Sequence, residues 1–276
     1  MTQENNPLKQ YFRRPAIYVK LPSEGKYYNS STVSMPDNKE LPVFPMTAID
    51  EITARTPDAL FNGEAVADII RSCMPNIKDP WAIVNMDLDA ILIAIRTATN
   101  GNNMEIESVC TNCSEESKYD INLVGILAGL KPGNYDQELL LGELTIKFKP
   151  LTYKEINQIN TSQFEIQRGF AQLDTITELD AKNEKIKELL ILTTTLTSQA
   201  ITSNIEYIKT PSAFVQEKEY ILGFLNNCDK NTYEMIKEFN VKLKEGTDMK
   251  PLKVKCIHCQ HDYEQPFTLN MSDFFG

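Results

Sequence analysis

Basic charge is what this sequence is short of: 28 Lys and Arg stand against 38 Asp and Glu in 276 residues, a net charge of −10. That balance opposes nonspecific attraction to nucleic-acid phosphates or anionic lipid. Long apolar runs are absent as well. The cluster Ala90 to Ile95 falls far below the roughly 20 residues a membrane helix needs, so no membrane insertion is expected. The opening stretch, Met1 to Pro7, lacks a basic segment followed by an apolar one, and no secretory signal is expected from it. Missing too are a glycine-rich phosphate loop, a nucleophile elbow and a His-Glu metalloprotease helix, so no enzymatic activity is expected. No internal repeat is visible, and the one biased tract is the Thr/Ser-rich stretch 193–203.

What is present is the composition of a folded globular protein: 42% hydrophobic and 24% charged residues exclude wholesale disorder. Four of the six cysteines form two Cys-x-x-Cys pairs, Cys110 with Cys113 and Cys256 with Cys259. Each pair follows a segment of strand-like composition, Met104 to Val109 and Leu252 to Lys255, so each reads as the tip of a hairpin. One thiolate from each end of two tight turns completes a tetrahedral Zn²⁺–S₄ site, and such a saturated site is structural rather than catalytic. Two hairpins of this kind make a zinc ribbon. Reduced, metal-free or redox-active pairs are the alternative, but a reactive thiol needs a helix N-terminus or a similar setting, and neither pair has an obvious one. Both histidines, His258 and His261, sit in or beside the second pair; with four sulfurs available neither is needed as a ligand. Cys73 and Cys228 lie in helix-like apolar settings and read as inert buried thiols.

Zinc ribbons often contact nucleic acid, yet the first pair is surrounded by Glu105, Glu107, Glu115, Glu116 and Asp120 against Lys118. That field repels phosphate, and nucleic acid is not expected as a partner.

Along the chain, residues 1–45 carry Pro7, Pro15, Pro22, Pro36, Pro42 and Pro45 and no helical periodicity, so an extended N-terminal arm is expected. Within it Tyr11, Phe12, Arg13, Arg14 and Tyr18 are of the types enriched where proteins meet proteins. The other reading is an irregular arm lying over its own domain. Short helices follow from Thr47, and a strongly apolar helix runs to about Thr99, stopped by Asn100-Gly101. Leu139 to Phe148 alternates as a strand or hairpin. From Thr152 to about Glu245 the pattern is helical, with Thr210-Pro211 expected as the cap and first residue of a helix over Val215 to Asn227. The expected fold class is α+β, predominantly helical. A small antiparallel zinc-ribbon-like module and helices would be built from 46–150 and 246–276, with 151–245 a helical insertion between its halves.

The stretch Thr56 to Gly63, Ile69 to Trp81 with its Met-Pro-Asn-Ile-Lys-Asp-Pro-Trp, Met86 to Arg96 and the Cys110 pair together resemble the baseplate hub protein family of T-even-type contractile-tailed bacteriophages. The closing Cys256 pair and Asp273-Phe-Phe-Gly276 are similar to that family's C-terminal pattern. The resemblance is densest over about 40–125, returns over the last twenty-five residues and is weak across the helical middle. It implies a virion structural or tail-assembly protein, acting by protein–protein contacts with other baseplate hub and tail proteins. It does not separate hub subunit from hub-assembly factor. Its place would be the tail baseplate, and the host cytoplasm during assembly; homo-oligomer formation is compatible with such a role. In that setting the arm and the terminal Phe274 and Phe275 are expected to dock onto neighbouring subunits. The reading from another class is a zinc-ribbon adaptor in a nucleic-acid-processing complex.

Overall fold

The computed structural model describes residues 7–56, 63–245, 247 and 249–267. The turn expected at 58–63 lies almost wholly outside the described residues, as do Phe274 and Phe275.

A 3-10 turn at Pro7–Tyr11 leads to strand β1 (Ile17–Val19), which pairs antiparallel with β2 (Leu41–Val43), Val19 opposite Leu41. Prolines keep these strands short. They do not keep the segment out of the core, because Val19, Leu21, Val33, Leu41 and Val43 are 3% exposed or less. From Ile17 onward the stretch expected as an extended arm is therefore packed. Helix α1 (Ala48–Ala54) starts with the capping box of Thr47 and Asp50. Helix α2 (Glu64–Cys73) turns Ala65, Val66, Ile69, Ile70 and Cys73 inward.

Asp79 caps a 3-10 turn at Pro80–Ala82 before α3 (Asn85–Asn100), which ends where Gly101 takes a φ of 91°. Ile91, Leu92, Ile93 and Ile95 of α3 are fully buried. Each contributes on the order of 1.5–3 kcal/mol of burial free energy. Two polar nodes fasten the N-terminal segment to these helices. The Asp87 carboxylate, at 0% exposure, accepts from the Ser23 N–H at 2.8 Å, the Ser23 hydroxyl and the Tyr28 hydroxyl at 2.6 Å. Arg13 donates to the Pro45 carbonyl, to the Ser72 carbonyl and hydroxyl, both at 2.7 Å, and to Asp50 at 3.3 Å.

Strands β3 (Asn103–Val109) and β4 (Glu116–Asn122) form a hairpin, and Asn122 then caps α4 (Leu123–Gly129). A second hairpin, β5 (Glu138–Leu141) and β6 (Leu144–Phe148), turns at Gly142, whose φ is 59°. Helix α5 (Tyr153–Ala171) begins with the capping box of Thr152 and Glu155. It packs on α6 (Leu179–Asn204), and the closeness depends on Gly169, where a Cβ would lie 2.6 Å from a methyl of Leu189.

Strand β7 (Ile205–Lys209) pairs with β6, and β8 (Phe214–Val215) completes the order β5-β6-β7-β8. Here the structure departs from the helix start expected at Thr210-Pro211. The Thr210 hydroxyl accepts from the N–H groups of Ser212 and Ala213, making a turn that sends the chain back along β7. Helix α7 (Lys218–Asn227) starts three residues past Val215, and α8 (Lys230–Leu243) follows, capped by Asp229. The final hairpin is β9 (Leu252–Lys255) with β10 (Asp262–Gln265).

The fold is thus mixed helix and sheet, all strand pairs antiparallel. It divides into two compact units, Met1–Ile83 with Asp87–Lys131 and Met249–Gly276, and Val84–Met86 with Pro132–Asp248. The β5–β6 hairpin belongs to the second unit, where Thr145 is opposite Lys209.

Candidate metal centre

Both cysteine pairs sit in six-residue loops that repeat one another position for position, Cys110 to Glu115 and Cys256 to His261. The last strand pairs beneath them are Val109 opposite Glu116 and Lys255 opposite Asp262. In each loop the first cysteine's N–H donates to the carbonyl of the sixth residue, at 3.0 Å (Glu115) and 2.9 Å (His261). The fifth residue's N–H returns to the first cysteine's carbonyl, from Ser114 at 2.9 Å and Gln260 at 3.0 Å. That closure needs a left-handed fifth residue, and Ser114 and Gln260 have φ of 61° and 63°. No glycine marks the bend, so this strain is invisible in the sequence.

The loops bring four sulfurs together. All lie within 4.8 Å of one another, and two of the separations cross between hairpins at 3.6 Å: Cys110 to Cys259 and Cys113 to Cys256. A tetrahedral site with metal–sulfur bonds of about 2.3 Å has sulfur–sulfur edges of about 3.8 Å, so the set fits a small thiophilic cation. Cys110 and Cys256 are buried, at 1% and 0% exposure, while the second cysteine of each pair lies toward the surface.

Backbone and side-chain donors are already aimed at the sulfurs. Asn112 N–H points to Cys110 Sγ at 3.4 Å, Cys259 N–H to Cys256 Sγ at 3.5 Å, and the Asn112 side-chain amide to Cys259 Sγ at 3.6 Å. The Asn112 amide, with the His261 backbone, holds the Cys259 thiol down at about 6. Cys113 has the Glu115 backbone on its side, but desolvation and the three neighbouring sulfurs push it up to about 12. One thiolate forms readily in this cluster, and further negative charge needs a cation to share it.

Side chains beneath the loops lock the hairpins together. The Tyr263 hydroxyl meets Ser108 Oγ at 2.8 Å, Ser108 donates to Gln265 Oε1 at 2.6 Å, and Tyr119 donates to the Lys255 carbonyl at 3.2 Å. Tyr263 also packs with Cys110 and Cys256, with Cys113 and Val254 against them. Neither histidine joins the sulfur group; the His261 ring lies parallel to Tyr263, centroids 6.4 Å apart.

Of the residues expected at partner contacts, five lie among the described residues. Tyr11, Phe12 and Tyr18 are 77%, 57% and 62% exposed, on the first 3-10 turn, just after it and on β1. Arg14 donates to the Gln10 carbonyl at 3.4 Å, and Arg13 points inward to its node with Asp50 and Ser72. The two nodes centred on Arg13 and Asp87 were not legible as such. Asp87 reads as a first-turn acid, and nothing local indicates that Ser23 and Tyr28 reach it.

A family model described as T4 bacteriophage base plate protein matches residues 15–276. No curated protein and no solved structure gives a match. The chain belongs to the T4 base plate family.

Proposed function

Starting from membership of that family, which supports a structural role in the phage baseplate and contacts with other baseplate proteins, we propose that this chain builds or completes the central hub of a contractile tail. It does so by protein–protein contact rather than catalysis, and Cys110, Cys113, Cys256 and Cys259 hold one structural zinc ion. The observation that carries the metal reading is the convergence of four sulfurs within 4.8 Å from two hairpins far apart in the chain. Bound there, Zn²⁺ takes four thiolates and adds its binding free energy to folding.

The rest is done by the chain itself. Two loops of equal length present donors to the sulfurs, and Ser108, Tyr119, Tyr263 and Gln265 join the hairpins below them. The C-terminal segment is thereby held to the unit that contains α1 to α3. Exposed Tyr11, Phe12 and Tyr18, with Phe274 and Phe275, are the proposed docking anchors, since buried aromatics carry much of an interface's free energy. Arg14 flanks them, and Arg13 positions the segment through its node.

A nucleic-acid-processing adaptor is disfavoured by the outward face of the β3–β4 hairpin. Its base, Lys118, is taken up by Glu105 at 2.7 Å and Glu107 at 3.5 Å, leaving Glu116 and Asp120 to repel phosphate. Co-expression with the other hub proteins, followed by affinity capture, tests the hub reading. Recovery of a defined complex is expected; capture of DNA or RNA in a salt-dependent manner and of no tail protein would overturn it.

A further inference from the structure

Four sulfurs gathered from two hairpins can do more than hold a cation. Cys110 Sγ approaches Cys259 Sγ to 3.6 Å and Cys113 Sγ approaches Cys256 Sγ to 3.6 Å, each pair oriented as an S–H···S contact in which either atom can donate. Both pairs cross from the β3–β4 hairpin to the β9–β10 hairpin. A disulfide bond is about 2.05 Å long, so each pair has about 1.5 Å to close, shared between two side chains. The hairpins beneath are already held in place by Ser108 with Tyr263 and Gln265, and by Tyr119 with the Lys255 carbonyl.

The other pairings are disfavoured for two separate reasons. Cys110 and Cys256 are buried at 1% and 0% exposure, whereas Cys259 is exposed and Cys113 half-buried. A bond between the two buried sulfurs would have no partner that an oxidant reaches first. Pairing within a loop would form across a bend that the backbone bonds from Ser114 to Cys110 and from Gln260 to Cys256 already fix. It would also draw the first sulfur of each loop off its backbone donor, the Asn112 N–H at 3.4 Å or the Cys259 N–H at 3.5 Å. Each cross-hairpin pair instead joins a sulfur that solvent reaches to a buried one beside it.

We propose that the four cysteines are a redox-responsive junction, in which a hydroperoxide forms two disulfides across the hairpins, Cys110 with Cys259 and Cys113 with Cys256. Covalent bonds then replace the metal without opening the junction. This regulation rests on the metal reading of the same four residues, since ligation keeps them as thiolates, the nucleophilic form, with no helix N-terminus required. The outer thiolate attacks a peroxide oxygen, the O–O bond breaks, and the products are a sulfenic acid and, with one proton, water. The buried thiolate of the other hairpin then attacks that sulfur and expels hydroxide, which takes a second proton to become water. Two thiolates give up two electrons and one peroxide accepts them. A second peroxide closes the second pair, and four sulfurs that no longer carry charge let the metal go. A chain that binds metal in a reducing compartment and is carried into an oxidising one would exchange one closure for the other.

Hydrogen peroxide added to the full chain, purified under reducing conditions and freed of reductant, tests it. Trypsin cuts after Arg96, Lys118 and Lys255, so Cys110 and Cys113 stay together on residues 97–118, and Cys256 and Cys259 on residues 256–276. After oxidation and alkylation these two peptides are expected joined, lighter by four hydrogens than their sum, from a chain that runs as a monomer on a non-reducing gel and has lost its zinc. Partial reduction with alkylation in two steps should label Cys110 together with Cys259, and Cys113 together with Cys256. Two separate peptides, each lighter by two hydrogens, would mean pairing within the loops and would overturn the proposal. So would four free thiols, sulfinic or sulfonic acids in place of disulfides, bonds between chains, or Cys110 labelled with Cys256. Zinc content measured before the oxidant bears on the metal reading alone. Joined peptides from a chain without zinc keep the cross-hairpin pairing and remove the metal, whereas a zinc-loaded chain that pairs within its loops keeps the metal and removes the redox junction.

Discussion

The sulfurs of Cys110 and Cys259 lie 3.6 Å apart although 149 residues separate them in the chain. The stretch between them includes Pro132–Asp248 of the second unit. Closing so long a loop is entropically costly, and the hydrogen bonds of Ser108 to Tyr263 and Gln265 are few. The metal proposed at the four cysteines would supply what those contacts lack.

Chelation is therefore expected to loosen the junction first. With a strong zinc chelator under reducing conditions, hydrogen exchange should accelerate in β3, β4, β9 and β10 by tenfold or more, a change of about 1.4 kcal/mol or more in local opening free energy. The four-stranded sheet of the second unit should keep its protection.

Asp87→Ala is expected to destabilise the protein by about 3 kcal/mol in urea titration. It strands the buried Ser23 N–H and leaves two hydroxyls short of an acceptor. Asp87→Asn should cost less, since the amide oxygen still accepts.

The same residue predicts a pH dependence. Burial raises the Asp87 carboxyl above its ordinary value, while bonds from Ser23 and Tyr28 oppose the shift. A carboxyl raised on folding contributes stability that is complete below its unfolded value and is lost as pH rises through the folded one. The stability of wild type relative to Asp87→Asn should thus fall as pH rises above the ordinary carboxylate range, read from paired urea titrations. A difference that grows with pH would contradict the assigned direction.

Arg13→Ala is expected to lower stability by about 2 kcal/mol, because Asp50 and the Ser72 hydroxyl lose a partly buried partner. Arg13→Lys should recover only part of it, as one ammonium cannot span the Pro45, Ser72 and Asp50 oxygens together. Thermal melts of the two variants decide this.

Tyr11, Phe12 and Tyr18 invite the opposite pattern. Alanine at these exposed positions should change stability by no more than about 0.5 kcal/mol. Co-assembly with other baseplate proteins, followed by pull-down, should drop at least tenfold for the triple variant.

What could be read from sequence was what is local. The x₂ spacing of the cysteines, the strand-like composition before each pair, the helix starts at Thr47 and Thr152 and the stop at Gly101 all act within a few residues, and the structure has strands, helix starts and a helix end there. Non-local events left no such trace. Prolines from Pro15 to Pro45 broke the strand pattern, yet Val19, Leu21 and Leu41 still reach the core because burial needs apolar side chains and not regular pairing. Thr210-Pro211 carried a helix-start signal, and tertiary pairing with β7 overrode it. Ser114 and Gln260 adopt left-handed backbone under the pull of the loop closure alone. Arg13, chosen for its residue type, is held by oxygens from Pro45, Asp50 and Ser72, whose proximity only the fold creates.

Native mass spectrometry of the chain purified under reducing conditions, with elemental analysis of the same sample, tests the metal centre most directly. One zinc ion per chain is predicted, and replacing Cys110 and Cys259 together by serine should abolish it. A wild-type mass without metal, in a chain whose β3, β4, β9 and β10 stay protected in the presence of chelator, would contradict the account.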